Sequence, residues 1–175
     1  MPKAARLGWD DYYSSIAQVV ASRSSCMRRQ VGALIVMENR IISTGYNGTP
    51  FGVKNCDEGG CPRCASDQPS LAGYDWCLCV HAEQNAIALA ARQGTSTNGA
   101  QLYVTLRPCF GCLKEAIQAG IRAITFAAPL AYDDELEAVY QGLLRDSGLV
   151  MRHYPLLVAL PSPFMNEAHA VEHPR

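Results

Sequence analysis

The chain has 175 residues, 15 Lys and Arg against 16 Asp and Glu, and a formal net charge of −1. Hydrophobic residues make up 49% of it and charged residues 18%, a balance that fits one globular domain with its own core and excludes global disorder. Near-neutral charge removes the electrostatic footprint expected of a protein that grips an extended nucleic acid, and no apolar run nears the roughly 18 residues that cross a bilayer.

The opening MPKAARLGWDDYY is basic but lacks an apolar stretch, so it does not read as a secretory signal. Trp9, Tyr12, Tyr13, Ile16, Val19 and Val20 recur at helical spacing and predict an amphipathic helix over 9–23. VGALIVM (31–37) and IISTGY (41–46) are rich in β-branched residues and flank a polar triplet, Glu38-Asn39-Arg40, as in a hairpin. Residues 47–79 hold Gly, Pro, Asp and most of the cysteines with little periodicity; a loop of that length in a compact domain requires a staple.

HAEQNAIALAARQG (81–94) is a strong helix former stopped by a glycine, and QLYVTL (101–106) is a strand. Pro108 suits the start of a helix across 109–118, RAITFAA (122–128) is a strand, and DDELEAVYQGLLRDSG (133–148) is a helix with acids in its first turn. LVMRHY (149–154) closes the series, and 155–175 is expected to be a loosely ordered tail. Strand and helix alternate in the second half, implying parallel neighbours, whereas the first two strands pair antiparallel. The expected fold is α/β: a mixed five-stranded sheet flanked by helices in a domain spanning 1–154, with 47–79 as a cysteine-rich insertion.

Eight cysteines stand at 26, 56, 61, 64, 77, 79, 109 and 112. Four disulfides would suit a small secreted domain too short for a core; CxxC spacing in a chain with a core and no export signal points instead to metal and to the cytoplasm. Two fragments then stand out: His81-Ala82-Glu83 at the start of one helix and Pro108-Cys109-Phe110-Gly111-Cys112 at the start of another. Residues three apart share a helix face, so Cys109 and Cys112 reach one ion, and His81 supplies a nitrogen. Three protein ligands leave the fourth tetrahedral corner open, as in catalytic zinc. Glu83, two residues from His81, fits a carboxylate that moves protons beside the ion better than a fourth ligand. HxE followed by PCxxC is the signature of zinc nucleobase deaminases, whose reaction replaces a ring amino group with oxygen.

Around these residues the chain resembles the deoxycytidylate (dCMP) deaminase family of the cytidine/deoxycytidylate deaminase superfamily. The resemblance covers about 9–154 and runs through VGALIV (31–36), GYNGTP (45–50), CDEGGCPRC (56–64), CLCVHAEQNAI (77–87), LYVTLRPCFGC (102–112) and QAGI (118–121). Free cytidine deaminases and tRNA adenosine deaminases share the HAE and PCxxC parts, but not typically GYNG followed by a cysteine-rich insertion. The resemblance implies a three-layer fold, zinc on His81, Cys109 and Cys112, Glu83 as proton shuttle, and conversion of dCMP to dUMP and ammonia, which feeds thymidylate synthesis. It also implies Asn47 on the deoxyribose 3′-hydroxyl and backbone groups of Ala82 and Thr105 on the pyrimidine edge. Arg28 and Tyr132 occupy the regions the family uses for the 5′-phosphate.

Several family members carry a second, structural zinc that ties the first helix to the insertion. Six cysteines remain for it here; Cys26, Cys56, Cys61 and Cys79 are the favoured set, with Cys64 and Cys77 as alternates, and spacing leaves the choice open because one ion takes four ligands. Hexameric assembly and control by dCTP and dTTP, with Mg2+ accompanying the effector, are further implications of the resemblance. The rival readings are a deaminase of dCTP, of a 5-modified dCMP or of a free nucleoside, a nucleic-acid editing deaminase, and a zinc-stapled interaction module without catalysis.

Overall fold

The computed structural model describes residues 6–67 and 74–155. The expected tail therefore lies, from residue 156 onward, outside the described residues. Helix α1 (Trp9–Ala21) leads into β1 (Gly32–Met37) and β2 (Arg40–Tyr46), a hairpin whose two turn residues, Glu38 and Asn39, both take positive φ, 50° and 59°. That twist matches the strands it joins, and Arg40, read from sequence as turn, already belongs to β2.

The insertion contains two 3-10 turns, Cys56–Glu58 and Tyr74–Trp76, and the one-turn helix α2 (Pro62–Ala65). Its mouth is pinned where Gly48 and Val80 exchange backbone hydrogen bonds of 3.2 and 2.8 Å. Then come α3 (Ala82–Arg92), β3 (Gln101–Leu106), α4 (Phe110–Gln118), β4 (Ala123–Ala128), α5 (Asp134–Ser147) and β5 (Val150–His153). The Asp133 side chain accepts from the Leu136 N–H to start α5, and Gly148, φ 67°, ends it.

The sheet order is β2-β1-β3-β4-β5, with β1 antiparallel to both neighbours and β3, β4 and β5 mutually parallel. Alternation along β1 divides the core. Leu34 and Val36 face α1 with Tyr13, Ala17 and Tyr103; Ala33 and Ile35 face Ala82, Ala86, Leu113, Ala116 and Tyr140 of the other helices. The three layers are thus α1, the sheet, and α3–α4–α5.

Two glycines set how closely the helices approach. A Cβ on Gly32 would stand 2.2 Å from the Ala17 carbonyl oxygen of α1, and one on Gly45 would stand 2.2 Å from the Ala82 carbonyl and 2.4 Å from the Ala86 nitrogen of α3. Only glycine lets the backbones meet there. Beside Gly45, the Ser43 hydroxyl donates to the Ala86 carbonyl (2.6 Å) and the Asn85 amide to the Tyr46 carbonyl (2.7 Å), fixing the height of α3 on β2.

Candidate active site and metal centres

His81 precedes the first turn of α3 in an extended conformation (φ −73°, ψ 159°), and its backbone N–H donates to Gln84 Oε1 at 2.9 Å. Cys109 plays the same part for α4, with its sulfur accepting from the Cys112 N–H at 3.5 Å. Gln84 Nε2 then donates to Glu115 Oε1 at 2.8 Å and ties the two helices together. Both N-termini, with their partial positive charge, converge on one point. There His81 Nδ1 lies 3.3 Å from Cys112 Sγ and 3.4 Å from Cys109 Sγ, and all three ligand atoms fall within 4.8 Å of one another.

The Cys109 thiol is held down to about 4 by hydrogen bonding from Cys112 and by the imidazole of His81. Cys112 moves upward because its neighbour is a thiolate and because it is buried. One nitrogen and two sulfurs in this state form a donor set suited to zinc. Glu83, in the first turn of α3, is only 4% exposed, and burial pushes its carboxyl up to about 7. A carboxyl poised there accepts and releases protons at neutral pH.

The start of α4 is braced from behind. Tyr132 Oη accepts from the Phe110 N–H at 2.9 Å, and the hydroxyl of the fully buried Tyr140 donates to the Pro108 carbonyl at 3.0 Å. Arg107 pairs with both carboxylate oxygens of Glu137 at 2.9 Å and lies 4.1 Å over the Tyr140 ring.

His81, Ala82, Glu83 and Cys109 open onto a cleft also walled by Asn47, Arg28, Arg29 and Arg63. Asn47 is firmly placed: its Oδ1 accepts from the Val31 N–H (2.8 Å) and the Ser24 hydroxyl (2.7 Å), and its Nδ2 donates to the Arg29 carbonyl (2.7 Å). Arg28 lines the cleft with its guanidinium donating to the Ser66 carbonyl. Thr105 is buried, its hydroxyl accepting from the Gly32 N–H at 3.1 Å; neither it nor Tyr132 is among the residues that wall the cleft. Arg29 and Arg63 escaped the sequence reading. Arg63, 5% exposed, sits inside CPRC, where the flanking cysteines drew the attention, and a buried arginine leaves no periodic signal.

The remaining six cysteines form one buried group, all as free thiols. The favoured quartet of Cys26, Cys56, Cys61 and Cys79 does not assemble. The sulfurs within 4.8 Å of one another are those of Cys26, Cys56, Cys64 and Cys79, and separately those of Cys61, Cys64, Cys77 and Cys79. Cys61 precedes α2 and Cys64 lies within it, so the short helix turns Cys64 toward Cys26, 3.8 Å away, and leaves Cys61 toward Cys77, 3.9 Å away. These sulfurs share protons: a hydrogen bond from Cys79 holds the Cys26 thiol down to about 4, and Cys79 itself is pushed up.

Among known proteins, residues 7–128 match the family model described as the cytidine and deoxycytidylate deaminase zinc-binding region. The deoxycytidylate deaminase of Schizosaccharomyces pombe is 41% identical over 153 residues, 87% of this chain and 46% of that protein; the Saccharomyces cerevisiae enzyme is 41% identical over 154 residues, 88% and 47%. This chain thus spans about half the length of these two relatives. The human deoxycytidylate deaminase is 35% identical over 150 residues, 85% of this chain and 80% of the relative. In three dimensions the chain is similar to the crystal structure of the dCMP deaminase of cyanophage S-TIM5 in complex with dCMP and dUMP, with a TM-score of 0.66, 28% identity, and coverage of 86% of this chain and 99% of that one. With its zinc-type triad, its buried carboxylate and a match over most of its length, the chain belongs to the cytidine and deoxycytidylate deaminase family.

Proposed function

We propose that the protein hydrolyses dCMP to dUMP and ammonia, using His81, Cys109 and Cys112 to hold a catalytic zinc ion. When bound, the ion brings the pKa of a coordinated water to about 7 and so supplies a nucleophile at neutral pH. Glu83 would take one proton from the attacking water and deliver it to the ring nitrogen, then take the second, from the newly added hydroxyl, and deliver it to the departing amine. The new C–O bond becomes a carbonyl as the C–N bond breaks, so one water enters and one ammonia leaves. Burial suits Glu83 to both directions of transfer, because its carboxyl sits near neutrality.

The backbone of Ala82, on the cleft wall, and of Thr105, next to the cleft-lining Leu106, would read the pyrimidine edge, and Asn47, held by three partners at the cleft wall, would offer its second amide hydrogen to the 3′-hydroxyl. The observation that carries the nucleotide reading is the placing of Arg28, Arg29 and Arg63 in the same cleft as His81, Glu83 and Cys109, beside a fourth arginine, Arg107, whose guanidinium Glu137 engages. A nucleoside needs no such charge, whereas a 5′-phosphate pairs with guanidinium groups. Tyr132 would act on phosphate only indirectly, through the loop that it braces. Steady-state turnover of dCMP, dCTP and deoxycytidine tests this: dCMP should have the highest kcat/KM, and faster turnover of the nucleoside would overturn it.

The same reading carries a homohexamer, regulation by dCTP and dTTP with Mg2+ accompanying the effector, and a cytoplasmic location. Light scattering of the purified protein and dCMP saturation curves with and without each effector test the first two.

A further inference from the structure

We infer that the six cysteines outside the catalytic triad form a binuclear zinc–thiolate cluster in which Cys64 and Cys79 bridge two ions. Cys26 and Cys56 complete one tetrahedron, and Cys61 and Cys77 the other. The two four-sulfur groups share two members, Cys64 and Cys79, and no others. Two tetrahedral ions need eight donor positions, and sharing two sulfurs reduces that need to the six present.

The spacings agree with this sharing. Tetrahedral zinc with Zn–S bonds of about 2.3 Å has sulfur–sulfur edges of about 3.8 Å. Cys26–Cys64 measures 3.8 Å in the first tetrahedron, Cys61–Cys77 3.9 Å in the second, and the shared edge Cys64–Cys79 3.7 Å. Cys56–Cys79, at 2.8 Å, is shorter than such an edge and must open to admit an ion. A single ion would be served equally by either group, and whichever it chose would leave a pair of buried or half-buried sulfurs without a metal. Two bridged ions use every sulfur. The sequence supports the sharing too: Cys61 with Cys64, and Cys77 with Cys79, each place a terminal ligand and a bridging ligand on one short segment.

The cluster does not rest on the deaminase reading, and its test separates the two. Zinc is counted by native mass spectrometry and elemental analysis on the full chain and on a Cys109→Ser, Cys112→Ser variant in which the triad is silenced. Three ions per chain are expected in the first and two in the second; two and one would overturn the proposal. Cobalt substitution gives a second readout on the unmutated chain. Filling the cluster should first raise and then quench the high-spin cobalt signal as bridging sulfurs couple the two ions, whereas a signal that only grows to saturation overturns it. Cys61→Ser together with Cys77→Ser should lower the zinc count of the full chain, and an unchanged count argues for one ion on the other four sulfurs.

Discussion

The two sulfur-bearing regions of the molecule are built by opposite means. The triad of His81, Cys109 and Cys112 hangs on regular structure: each ligand stands at or within the first turn of a helix, and each helix is seated on a sheet strand or braced by tyrosine hydroxyls. Among its described residues the six-cysteine lobe has little regular structure, one helical turn and two 3-10 turns, and its core is the sulfurs themselves. A site of the first kind persists without its metal because the scaffold holds the ligands; a lobe of the second kind loses its centre when the metal goes.

That contrast can be attacked at several points. The largest effect should come from Glu83→Gln, which keeps shape and burial but removes the carboxyl proposed to carry the proton. Turnover should fall by about 10²- to 10⁴-fold with zinc content unchanged, read by ammonia release and elemental analysis. A rate within a few-fold of the parent would remove Glu83 from the mechanism. Next comes metal removal. Chelation should expose the 47–79 segment to limited proteolysis while the far-ultraviolet circular dichroism of sheet and helices is largely retained. If the whole chain melts together, lobe and scaffold are one cooperative unit and the contrast fails.

Gly45→Ala tests the scaffold side. The added methyl meets backbone atoms of α3 at 2.2 and 2.4 Å, so stability in urea should drop by roughly 1–3 kcal/mol or more. Because α3 begins with the residues proposed for zinc binding and proton transfer, kcat should fall as well, and a variant with unchanged stability would show that α3 can slide on β2. Tyr132→Phe removes one hydrogen-bond acceptor from the Phe110 N–H and should cost about 1 kcal/mol. The smallest effect concerns Glu137, whose carboxyl Arg107 holds below its ordinary value of 4.5. Its contribution is whole above that value and is lost as pH falls through the lowered one; being partly exposed, it amounts to under about 1 kcal/mol. Urea midpoints of Glu137→Gln and the parent should converge as the pH is taken down into that acid range.

The strands and helices were legible because each carries a local signal: a β-branched-rich apolar run along 31–37, helical spacing from Trp9, and Pro108 and Asp133 at helix starts. The triad was legible because Cys109 and Cys112 stand three residues apart at one helix start and because HAE followed by PCxxC is a known deaminase signature; helix geometry alone does not bring His81 to them. What stayed hidden depends on contacts between distant segments. Nothing in CDEGGCPRC says that Cys64 turns toward Cys26 and Cys61 away from it, because that is decided by the rotation of a single helical turn against a segment 38 residues away. Gly45 reads as an ordinary glycine ending a strand until α3 is laid across it. Tyr132, placed by resemblance near the phosphate, turns out to have its hydroxyl on the Phe110 N–H, a bond that no spacing foretells.

The path of the thiols around the edge of the sheet has a mechanical consequence. Cys26 follows the helix on one face, Cys79 precedes the helix on the opposite face, and both reach the same knot of sulfur. A pull on either outer layer is therefore transmitted around the sheet as well as through it, and only the Val80 bridge to Gly48 stands between that knot and His81 and Glu83, two and four positions beyond Cys79.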